Sequence, residues 1–153
     1  MTVIEYCTEE VRRQGHDIGA IDGIQRVGWM LAAWTWAMSM SQAGSKPELS
    51  DVTVLGAMVE PNKNRQLRQC GVRVGSRSRA CPDYREVPRL LNLLFAQRDE
   101  LTPMQFYRGF EEVHPFVDGN GRTGKILLNW LNGTLLEPIF PPNDFWGKPI
   151  INP

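Results

Sequence analysis

Apolar residues recur along most of this chain at steps of three and four, the spacing that gathers side chains on one face of a helix. Between about 19 and 40, Ile21, Ile24, Val27, Gly28, Leu31, Trp34 and Met38 keep that step and predict one long N-terminal helix. Trp29 and Trp36 fall off the stripe, so this helix is expected to be covered on more than one side. The run Gln42-Ala43-Gly44-Ser45-Lys46-Pro47 reads as a loop, after which Ser50 is placed to cap a short helix carrying Val52, Leu55 and Val59 that Pro61 stops.

The period then changes. Gly71-Val72-Arg73-Val74-Gly75 alternates as a strand does, and with the Ser-Arg-Ser-Arg and Cys-Pro that follow it predicts a short, exposed β-hairpin. Helical spacing returns with Val87, Leu90, Leu91, Leu94 and Phe95. Thr102-Pro103-Met104-Gln105 supplies an N-cap, a proline at the first helical position and a capping-box glutamine, for a helix running to about Val113. A last helix starts near Gly121 and buries Ile126, Leu127, Trp130 and Leu131. From Pro138 to Pro153 the prolines predict an extended tail. The pattern is all-α with one inserted hairpin, in a single domain over residues 1–153.

Composition narrows the class. A chain of 153 residues with 42% hydrophobic and 22% charged residues is a globular domain large enough for a core of its own. Seventeen basic residues balance seventeen acidic ones, so net charge selects no partner. The stretch from Asn62 to Arg89 nevertheless carries eight basic residues against Asp83 and Glu86, a local +6. Few aromatics interleave with these arginines, which argues against nucleic acid. Cys7, Cys70 and Cys81 are odd in number and lack ligand spacing, which argues against a disulfide framework and a zinc site and suits a reducing compartment. The uncharged run Val27 to Met40 falls short of the roughly 20 residues that span a bilayer. Acidic residues precede it, so it does not read as a signal peptide. The expectation is a cytoplasmic protein, or one delivered into a host cytoplasm, with no membrane partner.

Between the last two helices lies His114-Pro115-Phe116-Val117-Asp118-Gly119-Asn120-Gly121-Arg122, followed one turn later by Lys125. A helix opening there leaves its first N–H groups without intrahelical acceptors and its positive dipole end facing outward. Arg122 and Lys125 oppose that dipole, an arrangement that makes sense if an anion sits between them. Gly119 and Gly121 let the backbone wrap a phosphate. Asp118 is a carboxylate suited to Mg²⁺, which takes one carboxylate together with phosphate oxygens. His114 has the chemistry of a general base, and Phe116 is an apolar anchor for the loop. Base, metal carboxylate, anion cradle and two cations within twelve residues describe transfer from a nucleoside triphosphate to a hydroxyl.

This loop resembles the Fic family signature HPFx[D/E]GN[G/K]RxxR and matches it from His114 through Arg122. Upstream, Leu67-Arg68 through Gly75, then Pro82 and Val87-Pro88, are similar to the family's flap hairpin and the helix after it, so the resemblance covers roughly 50–132. It implies an all-helical Fic-type bundle in which a Tyr, Thr or Ser hydroxyl of a target protein attacks the α-phosphorus of ATP. His114 would then be the base and Asp118 the Mg²⁺ ligand. Gly119, Asn120 and Gly121 would form the anion hole, with Phe116 beside it, and Arg122 would hold the triphosphate. The flap at about 71–79 would align the target by strand pairing. The signature's final arginine is Lys125 here, which keeps the charge but loses the bidentate grip on phosphate. Phosphoryl transfer of the Doc type and a nucleotide-binding interaction module with little turnover therefore stand as alternatives. The family's inhibitory motif [S/T]xxxE[G/N], whose glutamate pairs with that final arginine, is absent, so restraint is expected from an antitoxin-like partner or from delivery and timing.

Overall fold

The computed structural model describes residues 1–74 and 79–142. Six α-helices are described: α1 (Val3–Arg13), α2 (Ile21–Gln42), α3 (Leu49–Val59), α4 (Val87–Ala96), α5 (Pro103–Val113) and α6 (Asn120–Asn132). Strands β1 (Arg73–Val74) and β2 (Arg79–Ala80) pair antiparallel between α3 and α4, with Arg73 opposite Ala80 and Val74 opposite Arg79. The tip of this hairpin and the tail from residue 143 onward lie outside the described residues.

α6 is the hub, packing on α5, α2 and α3, and its residues from Arg122 to Trp130 are all buried. A helix surrounded in this way must bury polar groups, and each needs a partner. Asn129 shows how. Its Oδ1 accepts from the Ile139 N–H (2.8 Å) and the Thr134 hydroxyl (2.7 Å), while its Nδ2 donates to the carbonyls of Lys125 and Ile139. The start of the tail is thereby fixed to the hub, and Tyr6 adds a hydroxyl bond to the Ile139 carbonyl at 2.8 Å.

Local sequence explains most of the boundaries. α5 begins as expected, with Thr102 and Gln105 completing a capping box around Pro103. α4 buries Val87, Leu91 and Leu94, with Leu90 and Phe95 packed beside them. α3 differs at its start: its cap is Glu48, whose side chain and that of Asp51 close a capping box, whereas Ser50 lies inside the helix. α2 occupies the expected span but is rotated. Gly23, Arg26, Met30, Ala33, Trp34 and Ala37 are buried, while Ile21 and Ile24 are 75% and 56% exposed. Close packing at its N-terminal end needs the small Gly23, where a Cβ would lie 2.1 Å from the Asp17 carbonyl oxygen. α1 was not expected from periodicity. Its signal is Thr2 and Glu5, which form a capping box ahead of a stripe of Tyr6, Cys7, Glu10 and Val11.

Candidate active site

α5 ends at His114, which takes the left-handed conformation at φ 51° and is the one non-glycine residue with positive φ among those described. This conformation is unfavourable for a side chain and persists where surrounding bonds hold it. Arg68 supplies them. Its guanidinium, in a side chain only 2% exposed, donates to the carbonyls of His114 (2.7 Å) and Val113 (3.3 Å), and its N–H donates to the Pro115 carbonyl at 2.9 Å. The same guanidinium reaches the carbonyls of Cys70 (2.9 Å) and Pro82 (2.6 Å), the two roots of the hairpin. One buried arginine therefore joins the end of α5 to the hairpin. Burial pushes the His114 pKa down to about 4, against a hydrogen bond with the Glu111 main chain and the charge of Asp118, which act the other way. The imidazole is neutral at pH 7 and able to accept a proton.

Residues 115–119 turn the chain into α6. Phe116 is fully buried, its ring lying against Gly56 of α3, where a Cβ would come within 2.2 Å of the ring. It anchors the loop in the core. Asn120 clasps the loop from the other end: its Oδ1 accepts from the Phe116 N–H (2.8 Å) and its Nδ2 donates to the Phe116 carbonyl (2.9 Å). Gly119 is the cap at φ 75°, and the first helical bond runs from the Thr123 N–H to its carbonyl at 3.0 Å. The N–H groups ahead of Thr123 thus have no intrahelical acceptor. The side chain of Asn120 is committed to the loop, so any anion contact from residues 119–121 is a main-chain one.

The charged residues are placed differently from the expectation that an external anion balances Arg122 and Lys125. Each has an internal counterion. Arg122 is fully buried, with Nη2 3.1 Å from Glu60 Oε1 and 3.5 Å from Asp118 Oδ1, Nη1 on the Val59 carbonyl and Nε on Gln14. Glu60 also accepts from Arg26 Nε at 2.7 Å, and Arg26 pairs in turn with Asp22. Lys125 Nζ lies 2.7 Å from Glu10 Oε2, with both side chains no more than 5% exposed. No inhibitory-helix motif predicts a glutamate at this position; α1 supplies one through the Glu10 side chain. Arg122 fixes the loop from below, whereas Lys125 faces the cleft.

Asp118 keeps one oxygen on the Gly119 N–H and the other 2.8 Å from Lys63 Nζ. Burial would raise its carboxyl, but the Lys63 hydrogen bond, the Arg122 charge and the Gly119 N–H together hold it below the usual carboxylate range. It is ionised at neutral pH. Among the described residues no group of three or more His, Cys, Asp or Glu side chains could hold a metal ion. The donor set fits Mg²⁺ only as one carboxylate, itself bonded to the half-exposed Lys63, that phosphate oxygens would complete.

His114, Asp118, Gly119, Asn120, Gly121 and Lys125 line one cleft of about 430 Å³, joined by Arg73 and Val74 of the hairpin, by Tyr107 and Glu111 of α5, and by Glu10 and Arg13 of α1 with its C-cap Gln14. A second cavity, about 370 Å³ beside the C-terminal ends of α2 and α6, holds none of the loop residues. The residues of α1 were missed because their role depends on a helix more than a hundred positions away. At least half of the basic stretch is engaged within the chain: Lys63 pairs with Asp118, Arg85 with Asp83 and Arg89 with Glu86, and Arg68 is buried.

The sequence model of the Fic/DOC family matches residues 48–132. The chain belongs to the Fic/DOC family. Solved structures with the same fold include a Fic-domain-containing signalling protein from Bacteroides thetaiotaomicron VPI-5482, at 15% identity and TM-score 0.68, with 84% of this chain and 61% of that one covered. A Fic family protein from Desulfovibrio desulfuricans G20 aligns at 20% identity and TM-score 0.63, covering 84% and 44%. Fic-1 from C. elegans (residues 134–508) aligns at 20% and 0.59, covering 86% and 43%. The chain thus spans about half the length of these relatives. The comparison with curated proteins gives no match. Fic domains in general transfer AMP or other nucleotide groups to proteins. The family match begins at α3, so Glu10, Arg13 and Gln14 enter this Fic cleft from outside the matched region. No described helix is long and apolar enough to cross a membrane.

Proposed function

We propose that this chain is a protein adenylyltransferase that transfers AMP from ATP to a Tyr, Thr or Ser hydroxyl of a target protein. The observation that carries this reading is the shared cleft: the neutral imidazole of His114 opens on the same space as the main chain of Gly119 to Gly121 and the ionised Asp118. The target oxygen forms a bond to the α-phosphorus, His114 takes its proton, and the bond to pyrophosphate breaks. Approach of the triphosphate would raise the His114 pKa toward neutrality, because a nearby anion favours the protonated imidazole. The first-turn N–H groups of α6 face the charge that develops on the phosphate oxygens. Mg²⁺, held between Asp118 and the phosphates, would offset the charge of the leaving group. Arg68 keeps His114 in place and holds both roots of the flap, whose edge offers main-chain bonds to an extended target segment.

Phosphoryl transfer is the second reading, favoured by Lys125 and its pairing with Glu10, because the outer phosphates then lack the arginine of the signature. Restraint by Glu10 would also remove the need for an antitoxin-like inhibitor. ATP labelled separately at the α and γ positions, incubated with lysate and the protein, decides. α-Label on a target band with wild type and none with His114→Ala is expected. γ-Label on the target replaces AMP transfer with phosphoryl transfer, and equal labelling by His114→Ala removes His114 as the base. Tight ATP binding with neither label transferred leaves only an interaction module.

A further inference from the structure

Side chains from the last turn of α1 and its C-cap reach the N-terminal half of α6. Glu10 bonds Lys125, and Gln14 donates to Glu10 and accepts from Arg122 Nε at 2.9 Å. A Cβ at Gly121 would lie 2.8 Å from Gln14 Nε2. Residues 10, 13 and 14 share one helical face, so Arg13 sits on the turn that meets the anion-binding end of α6 and lines the same cleft.

Arg13 differs from the other cations there. Arg122 is bonded to Glu60, Lys63 to Asp118 and Lys125 to Glu10. Arg13 Nη1 lies 3.8 Å from Glu10 Oε1, beyond hydrogen-bond distance, and is buried without a hydrogen-bond acceptor. Its guanidinium nonetheless has an aromatic contact. It sits 4.9 Å from the centroid of the Phe140 ring, which stacks at 3.9 Å on Tyr6. A guanidinium placed over a ring, with a donor unused, suits an anion with several oxygens.

We infer that Arg13 binds the terminal phosphate of a nucleoside triphosphate, supplying from α1 the planar fork that the signature loses at Lys125. The inference rests on the nucleotide reading of the cleft, though not on which phosphate is transferred. Glu10 lies beside both Arg13 and Lys125, so Lys125 exchanges its carboxylate for the phosphate and Arg13 gains the acceptor it lacks when the nucleotide enters.

Calorimetry of ATP, ADP and AMP with Mg²⁺ tests it, using the full chain as wild type, Arg13→Gln and Arg13→Lys, each also in a Glu10→Gln background. Arg13→Gln is expected to weaken ATP by about tenfold or more while AMP stays within about twofold, since a charge-assisted bond to the outer phosphate is lost. Arg13→Lys should fall between, and it carries the same comparison if the glutamine variant does not fold. Unchanged ATP binding in Arg13→Gln, or an equal loss for ATP and AMP, overturns the inference and leaves the nucleotide site standing. Absence of nucleotide binding in both wild type and Glu10→Gln removes the nucleotide reading and this inference with it.

Discussion

Replacing Glu10 with glutamine keeps the shape of the side chain and removes its charge, which separates two effects that the fold binds together. In the wild type a phosphate within reach of Lys125 would lie about 5 Å from the Glu10 carboxylate. At an effective dielectric constant of about 20, two like unit charges at that distance repel by about 3 kcal/mol. Removing the repulsion should therefore tighten ATP by about two orders of magnitude and raise transfer in parallel. Stability should move the other way. Lys125 and Glu10 are almost fully buried, and deleting one member of such a pair leaves an uncompensated charge at about 3–5 kcal/mol. The glutamine carbonyl still accepts from Lys125, so about 2 kcal/mol is a reasonable loss, or roughly 5 °C in Tm for a domain of this size. The assay is thermal unfolding with and without ATP–Mg²⁺, beside the α-label transfer assay. Glu10→Gln should melt lower without ligand and gain more from ATP than wild type does. A variant that melts lower yet shows the same ATP response as wild type would refute the idea that this carboxylate competes with phosphate. Adding Lys125→Met should recover stability and abolish the extra response to ATP.

The depressed His114 pKa fixes the sign of two pH effects: kcat/KM should hold through pH 6.5 and fall only as pH approaches about 4. An unfolded histidine near 6.5 binds its proton first, so this residue contributes stability that is full above pH 6.5 and is lost between there and about 4, up to about 3 kcal/mol; His114→Gln should flatten that part of the stability profile. Arg68→Lys keeps the charge but cannot reach four carbonyls, so it should lose about 2–3 kcal/mol and open the hairpin roots at 69–72 and 81–82 to limited proteolysis; wild-type resistance there in that variant would argue that these roots are held some other way. Gly56→Ala should destabilise by about 1–3 kcal/mol through collision with the Phe116 ring, and Phe116→Leu in the same chain should recover part of it in a denaturant titration.

Much of this molecule is written locally. Thr102, Pro103 and Gln105 start α5 with no help from the rest of the chain, because a capping box satisfies the first N–H groups from within four residues. The stripes of α4 and α6 and the change of period at the hairpin are equally short-range. Much of the loop from His114 to Arg122 belongs here too: a glycine at positive φ and a histidine ending a helix are legible within nine residues, whereas Asn120, read as part of an anion hole, has its side chain clasped on its own turn. The rotation of α2 was not, since Ile21 and Ile24 keep helical spacing but face solvent, and the buried face is set by whichever small residues let neighbouring helices approach. Charge was the least legible property. A sequence shows that Arg122 and Lys125 oppose a helix dipole, but not what neutralises them. Glu60 and Glu10 do so from 62 and 115 residues away, through contacts that no local pattern records. The same is true of Arg68, whose four carbonyl partners are brought together only when the flap closes against the end of α5. Sequence determined which groups stand at the loop, because backbone geometry and side-chain chemistry act over a few bonds; tertiary structure decided which are engaged and which are left for a ligand, because electrostatic partners are chosen by distance in space.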